Sequence, residues 1–332
     1  MNIIKNKYLF FLTRILKDML KPVQWEIAED LKSQELGQYY FVFSERAMEN
    51  QKGGQKSIIF DANGIPINPT YVDVKDKDYV YFPITIGQVG LAIFHTYLNT
   101  KNEDDKKRFL NIADWFVSNG SESNNLGIRW MTHVSLPQYK NPGPWQSAFS
   151  QSRGISVLLR AYQMTNNKDY ADIAEKALIP FKHSSKSGGV TSFTEHGPFY
   201  EEYTAEVPTL VLNGMIYSLC GIADFQRVFP DNKLAKEIFD EGIKTLEKIL
   251  PEFNMNYWSK YNLCQAEWYP QVDPATIAYQ HMHVTQLNML YHLTQIKTFK
   301  DYAVLFKQQI NIINILRMYI AKYKALKVLG RI

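Results

Sequence analysis

From Pro83 onward, apolar residues recur at the three- and four-residue spacing of a helix, interrupted by short polar turns. Residues 84–100 form the first such run, and Asn102-Glu103-Asp104-Asp105 is the turn after it. Phe109, Ile112, Ala113, Phe116 and Val117 then mark a returning helix. The scheme repeats. Runs 147–164 and 170–181 flank the turn 165–169; runs 211–228 and 234–250 flank Pro230-Asp231-Asn232; 284–295 and 302–320 make a last pair. The leading helices start about 60 to 70 residues apart, about twice the length of a helix–turn–helix. Long segments at 120–145, 184–207 and 254–282 precede several of these starts, and loops of that length inside a compact domain are usually functional. Antiparallel helical hairpins with their loops on one side predict a mainly α fold. The expected form is an α/α toroid, an incomplete α/α barrel of helical hairpins. Loops this long and unequal argue against an α-solenoid.

Upstream of Pro83 the pattern changes. Tyr39-Tyr40-Phe41-Val42-Phe43 and Ser57-Ile58-Ile59-Phe60 are β-type runs, and Asp61-Ala62-Asn63-Gly64-Ile65-Pro66 is a turn sequence. A small β-hairpin region with extended loops is expected over 37–82. The first residues, Met1 to Leu12, superficially suggest a secretion signal, but Arg14 and Lys17 interrupt the apolar run and no small-residue cleavage site follows. No segment is long enough to span a bilayer. Residues 1–36 therefore read as a basic amphipathic helical segment, lying on a membrane or a partner subunit, or docked on its own domain. The expected organisation is 1–36, 37–82 and a catalytic domain over 83–332. A cytoplasmic location and a homodimer are expected.

Composition narrows the partners. The chain has 332 residues, 45% hydrophobic, enough for a sizeable core. Aromatic content is high at 14%, and Tyr and Trp offer an apolar face with a polar tip, which suits carbohydrate as well as helix seams. A net charge of +4 favours an anionic partner, while the scattered Lys and Arg residues argue against nucleic acid. Cys220 and Cys264 are far apart and read as reduced core thiols.

The candidate chemistry sits in the long loops. Tyr200-Glu201-Glu202-Tyr203 runs into Leu212-Asn213-Gly214, and Tyr257, Tyr261, Tyr269, Tyr279, His281 and His283 follow. Adjacent residues of an extended segment point to opposite sides, so Glu201 and Glu202 cannot both face one bond. His281 and His283 have no third ligand at a tell-tale spacing, so no metal is expected, and no phosphate loop calls for a cofactor. Asn213 either binds substrate or caps the helix that follows. Trp145, after Asn141-Pro142-Gly143-Pro144, either stacks on a sugar face or anchors its loop.

Together, Glu202-Tyr203, Leu212-Asn213-Gly214, Tyr217-Ser218-Leu219 and Gly221 resemble the C-terminal domain of the D-glucuronyl C5-epimerases, which modify heparosan during heparin and heparan sulfate synthesis. The resemblance takes in Ser147-Ala148-Phe149-Ser150-Gln151, Ile155 to Tyr162, Leu250-Pro251, Tyr261-Asn262-Leu263 and Tyr279-x-His281-x-His283-x-x-Gln286-Leu287, roughly 79–293. It implies an α/α-type helical domain in which a glutamate–tyrosine pair and two later tyrosines are essential. Matched motif by motif, these fall on Glu202, Tyr203, Tyr261 and Tyr279. The animal enzymes carry an arginine where this chain has Cys264, and a larger N-terminal β portion.

The implied reaction removes the C5 proton of a uronate and returns one from the other face. It needs donors at the carboxylate and a proton-transfer group on each face. Glu202, Tyr203, Tyr261 and Tyr279 are the expected catalytic set. Trp145, Gln151, Arg153, Asn213, Lys260, His281 and His283 are the expected substrate-binding set. The expected partner is an anionic uronic-acid polysaccharide. A polysaccharide lyase, sharing the first step, is the nearest rival; a glycoside hydrolase and a non-enzymatic helical scaffold come after it.

Overall fold

The computed structural model describes residues 26–46, 48, 58–71, 73–74 and 78–332. The expected N-terminal helix lies outside the described residues, apart from 26–36, which are irregular. The chain divides into two compact units, 27–249 and a second that holds 250–332. This division falls inside the stretch 83–332 that the helical pattern groups together.

The first unit opens with a small antiparallel sheet, order β1-β2-β3, of β1 (Ile59–Phe60), β2 (Pro66–Pro69) and β3 (Tyr79–Val80). The β1–β2 register pairs Ile59 with Ile67 across the expected turn, where Gly64 takes a positive φ of 77° and Asp61 Oδ1 accepts the Asn63 and Ile65 N–H groups. The β-type run 39–43 forms no strand; it makes one bridge, between Phe41 and Ile27. Its rings are buried instead, and Tyr39 and Phe43 lie against the Arg153 guanidinium. Apolar patterning alone does not separate a strand from an extended segment that packs on helices.

Three helical hairpins follow. They are α1 (Pro83–Thr100) with α2 (Glu103–Ser118), α3 (Ala148–Thr165) with α4 (Lys168–Lys176), and α5 (Leu212–Val228) with α6 (Lys233–Ile249). The leading helices pack side by side, α1 on α3 and α3 on α5, and each carries its returning partner. This layering explains their burial. In α3 every residue from Ala148 to Ala161 is buried, whereas α2 buries only Phe109, Ile112, Ala113 and Phe116. Side-chain caps start several helices, with Asn102, Ser147 and Asn167 accepting first-turn N–H groups. Helix α4 ends at Lys176, five residues short of the expected end, because Pro180 follows and the chain passes into a 3₁₀ turn. The long segments before α3 and α5 contain two further hairpins, β4 (Ser121–Ser123) with β5 (Gly127–Arg129) and β6 (Thr191–Thr194) with β7 (Gly197–Tyr200).

The α3–α5 seam is closely packed. Ser152 Oγ donates to Tyr217 O at 2.6 Å and accepts from Gly221 N at 2.7 Å. A Cβ on Gly221 would lie 2.4 Å from Ser152 Cα, a backbone atom that cannot swing aside. Gly221→Ala is therefore expected to destabilise by about 1–3 kcal/mol through overpacking, read as a lower urea midpoint.

The second unit contains α7 (Ile277–Thr294), α8 (Lys297–Gln308) and α9 (Ile312–Val328). The sequence pattern starts α7 at 284 and runs one helix through 302–320. In the structure Thr276 caps α7 seven residues earlier, and the last run breaks at 309–311 into two helices. The core here is Trp258, Ala275, Ile277, Ile315 and Met318.

Candidate active site

The segment after β7 delivers the two glutamates to different surroundings. Glu201 is buried and saturated with donors. Its Oε1 accepts Ser192 Oγ (2.6 Å) and Thr209 N (3.2 Å), and its Oε2 accepts Thr209 Oγ1 (2.7 Å) and Leu210 N (2.9 Å). These bonds close the loop 201–210 on itself and hold Leu210 at a positive φ of 48°. With both oxygens occupied, Glu201 organises the loop. The neighbouring carboxylate is different. Glu202 Oε2 accepts Asn213 Nδ2 at 3.0 Å, beside the first turn of α5. A side chain at position 214 would bring a Cβ within 2.3 Å of Glu202 Cβ, so Gly214 opens the space this carboxylate fills. Burial raises both the Glu201 and the Glu202 carboxyl to about 7, although their hydrogen bonds, for Glu202 those from Tyr203 and Asn213, pull them back. Their partners, and not their shifts, set the two apart. Asn213 does not cap α5. The N-cap is Val211, and Asn213 sits inside the first turn as a donor to Glu202.

Tyr203 is half-buried, its ring 5.2 Å from Trp145 and 5.7 Å from Tyr139. Trp145 is buried, and its Nε1 donates to Val134 O. Of the two readings left by the sequence, the structure shows the loop anchor; the ring supports Tyr203 and offers no open face. Gln151 is also committed internally, donating to Ile128 O and Ala177 O and accepting from Trp130 N. Arg153 is buried among Tyr39, Phe43, Phe149 and Tyr217, each ring centroid 4.7–5.0 Å from the guanidinium carbon. Its cation faces aromatic quadrupoles within the unit. Gln151 and Arg153, expected as substrate contacts, thus have buried structural surroundings.

In the second unit, the loop 254–276 is pinned by Trp258 Nε1 to Ala275 O, Tyr261 N to Asp273 O, and Lys322 Nζ to Asp273 Oδ1 at 2.6 Å. This sets Tyr261 edge-on to Tyr279, ring centroids 5.0 Å apart. Tyr269 is no passive packing residue. Its hydroxyl donates to Asp273 Oδ2 and accepts from Asn262 Nδ2. Lys260 is half-buried and bridges to Pro274 through its backbone.

Because α7 begins at Ile277, Tyr279, His281 and His283 lie on a helix rather than in a loop. Tyr279 and His283, four residues apart, share a face, whereas His281 is turned about 200° from Tyr279. His281 is partly buried, which lowers its pKa. His283 is buried, and a chain of hydrogen bonds selects its tautomer. Gln280 Nε2 donates to Phe306 O, which directs Gln280 Oε1 at Ser259. That oxygen accepts both Ser259 N and Ser259 Oγ. With the hydroxyl proton so used, the 2.8 Å contact of Ser259 Oγ with His283 Nδ1 requires the ring to donate. Nδ1 therefore holds the proton and Nε2 is a bare acceptor, with no hydrogen-bond partner among the described residues. Burial pushes the His283 pKa down to about 3, so the ring is neutral and not the cation that would neutralise a substrate carboxylate. Nothing in the sequence pattern marked Ser259 or Gln280. Recognising Thr276 as a helix cap would have placed Tyr279, Gln280 and His283 on one helix.

Fold and site together describe an α/α toroid protein bearing buried glutamate and paired phenols. The family model for the D-glucuronyl C5-epimerase C-terminus matches residues 124–308, more than half of the chain, and the chain belongs to that family. A D-glucuronyl C5-epimerase of Caenorhabditis elegans is 29% identical over 191 residues, 54% of this chain and 31% of that protein. An uncharacterized protein of Methanocaldococcus jannaschii is 25% identical over 255 residues, 71% of this chain and 80% of that one. The chain thus spans about a third of the nematode enzyme's length. Two solved structures share the fold at a TM-score of 0.51 and 11% identity. They are a cellobiose 2-epimerase from Spirochaeta thermophila (69% of this chain, 58% of that one) and a sugar epimerase from a ruminal bacterium (73% and 65%).

Proposed function

We propose that the protein is a carbohydrate-modifying epimerase that converts D-glucuronate to L-iduronate residues within a heparosan-like polysaccharide. Family membership supports the coarser statement, an epimerase acting on carbohydrate. The observation that supports the finer one is the placement of the Glu202 carboxyl, buried in the space Gly214 opens and bonded by Asn213. Glu201, raised by burial to about 7 as Glu202 is, has both oxygens taken by loop donors. A base with a pKa near the working pH is suited to taking a proton from carbon next to a carboxylate.

In this reading Glu202 acts as base or orients the base. Tyr203, Tyr261 and Tyr279 supply the remaining proton transfer and stabilise the charge gathering on the substrate carboxylate. The C5–H bond breaks with its electron pair delocalised into that carboxylate, and a proton returned to the opposite face regenerates the uronate with C5 inverted. The reaction is balanced without an external oxidant or reductant. Incubation with heparosan in D2O is expected to give chains of unchanged length with deuterium at C5, read by NMR. Shortened chains ending in an unsaturated uronate would establish the lyase reaction instead, and unlabelled, unaltered chains would overturn both.

The pH dependence follows from the Glu202 shift. The carboxylate form is the base, so kcat/KM is expected to rise with pH through about 7 and level off above it. Glu202→Gln should remove that limb together with most of the activity. A profile that keeps the same limb in the variant would assign it to another group.

A further inference from the structure

The last helix carries a surface that the proposed chemistry does not use. Ile312, Ile313, Leu316, Ile320, Tyr323 and Val328 are all exposed, Ile313 by 66% and Ile320 by 61%. Ile313, Leu316, Ile320 and Tyr323 follow the three- and four-residue spacing of one helix face, so they form a continuous apolar stripe along α9. The opposite face is the one that docks, through Ile315, Met318, Ala325 and Leu326, with Lys322 drawn inward to Asp273. The stripe is therefore not a core face turned outward by a wrong helical phase. Helix α9 is apolar on two sides, and among the described residues one of them is uncovered.

Charge identifies what covers it. Residues 302–332 contain Lys307, Arg317, Lys322, Lys324, Lys327 and Arg331 and no Asp or Glu. The whole chain is +4, so the other 301 residues together are −2 (+4 less 6). The last tenth of the chain is thus strongly basic, as is the stretch 1–25, while the residues between them are acidic overall. Arg317 and Lys324 lie along one edge of the stripe, on the wheel positions next to Ile313 and Ile320, and Lys327 closes its C-terminal end. Arg317 is stacked over the Tyr257 ring at 4.2 Å, which holds its charge at that edge.

We propose that α9 lies flat in the interface of an anionic lipid bilayer, its Ile313–Leu316–Ile320–Tyr323 stripe seated among the acyl chains and its cations among the headgroups. A soluble polyanion such as a polysaccharide answers the lysines but gives no medium for four large apolar side chains. A second copy answers the stripe but brings two acid-free cationic helices together, which like-charge repulsion opposes. An anionic bilayer interface answers both. Helix α9 is 17 residues long and carries Arg317, Lys322, Lys324 and Lys327, so the proposed contact is a surface one.

The test is co-sedimentation of the full chain with vesicles of phosphatidylcholine alone or with about one-third phosphatidylglycerol. Binding is expected to the anionic vesicles, at least about tenfold weaker to the neutral ones, and strongly reduced by about 0.5 M salt. Leu316→Glu/Ile320→Glu should abolish it, and Lys324→Glu/Lys327→Glu should weaken it by about tenfold or more, with circular dichroism and epimerase turnover unchanged. Because turnover on a soluble substrate is read separately, failure of this proposal leaves the assigned reaction standing, and the converse also holds. Three results would overturn it. One is the absence of binding to either vesicle. The second is binding that both double variants retain in full. The third is a dimer, seen by sedimentation equilibrium, that Leu316→Glu/Ile320→Glu dissociates while vesicles are ignored.

Discussion

Tyr279→Phe and Tyr261→Phe are each expected to lower turnover by about two orders of magnitude or more, the effect of losing a proton-transfer group. The substitution removes one hydroxyl and leaves the ring, so the edge-on contact between the two rings at 5.0 Å should survive. Thermal stability should then stay within about 1 kcal/mol. Tyr257→Phe is the matched control, because the Tyr257 ring serves as a platform for Arg317 and its hydroxyl has no part in the proposed chemistry. Tyr269→Phe looks like an equivalent control in the sequence, but the structure disqualifies it. Removing that hydroxyl strips Asn262 Nδ2 and Asp273 Oδ2 of a buried partner, in the same network that fixes Tyr261. A loss of both activity and stability is expected there, of about 1–3 kcal/mol in stability. Steady-state kinetics with a melting curve for each variant separates the cases. If Tyr257→Phe is as damaging as the two assigned tyrosines, or if both of those retain full turnover, the assignment fails.

The largest stability effect is expected at Asp224. Arg160 and Asp224 are both buried, with Arg160 Nη1 2.7 Å and Nη2 3.3 Å from the carboxylate oxygens, and Arg227 Nε adds a third contact at 3.2 Å. The same two arginines reach back to the irregular segment before the first sheet, Arg160 to Gln38 O and Arg227 to Ser33, Gln34 and Glu35 O. Asp224→Ala would leave the Arg160 guanidinium buried without its counter-charge, a change that costs about 3–5 kcal/mol. The result should be a far lower unfolding midpoint, read by urea denaturation. Burial by itself would raise the Asp224 carboxyl, but the Arg160 and Arg227 charges outweigh it and hold the group below its ordinary value. A carboxyl depressed on folding stabilises at pH values above its unfolded pKa, near about 3.9. That contribution fades as pH falls through the lower folded value, and the acid sensitivity should be absent from the Asp224→Ala variant.

Much of the fold was legible because helix hairpins are written in local pattern. Apolar spacing and polar turns placed the three hairpins of the first unit to within a few residues, and Asp61 to Ile65 was readable as a turn. The departures have local causes too. Pro180 shortened α4, and Thr276 began α7 early by capping it at a point where apolar periodicity had not yet become evident.

What one residue does for another was not legible, because it depends on contacts between distant positions. The sequence alone determined that two adjacent glutamates on an extended segment must face different sides. Only the tertiary structure decided which side each took. Glu201 was drawn to Ser192, Thr209 and the Leu210 N–H, while Gly214 cleared the place for Glu202. The family resemblance put Tyr261, Tyr279 and His283 forward as candidate site residues. The pinned loop decided that the two phenols stand edge to edge, and the Gln280–Ser259 chain decided that His283 is a neutral acceptor. Periodicity is carried by the spacing of residues along one chain. Protonation and tautomer are set by burial and by partners up to dozens of residues away, which only folding brings within hydrogen-bond reach.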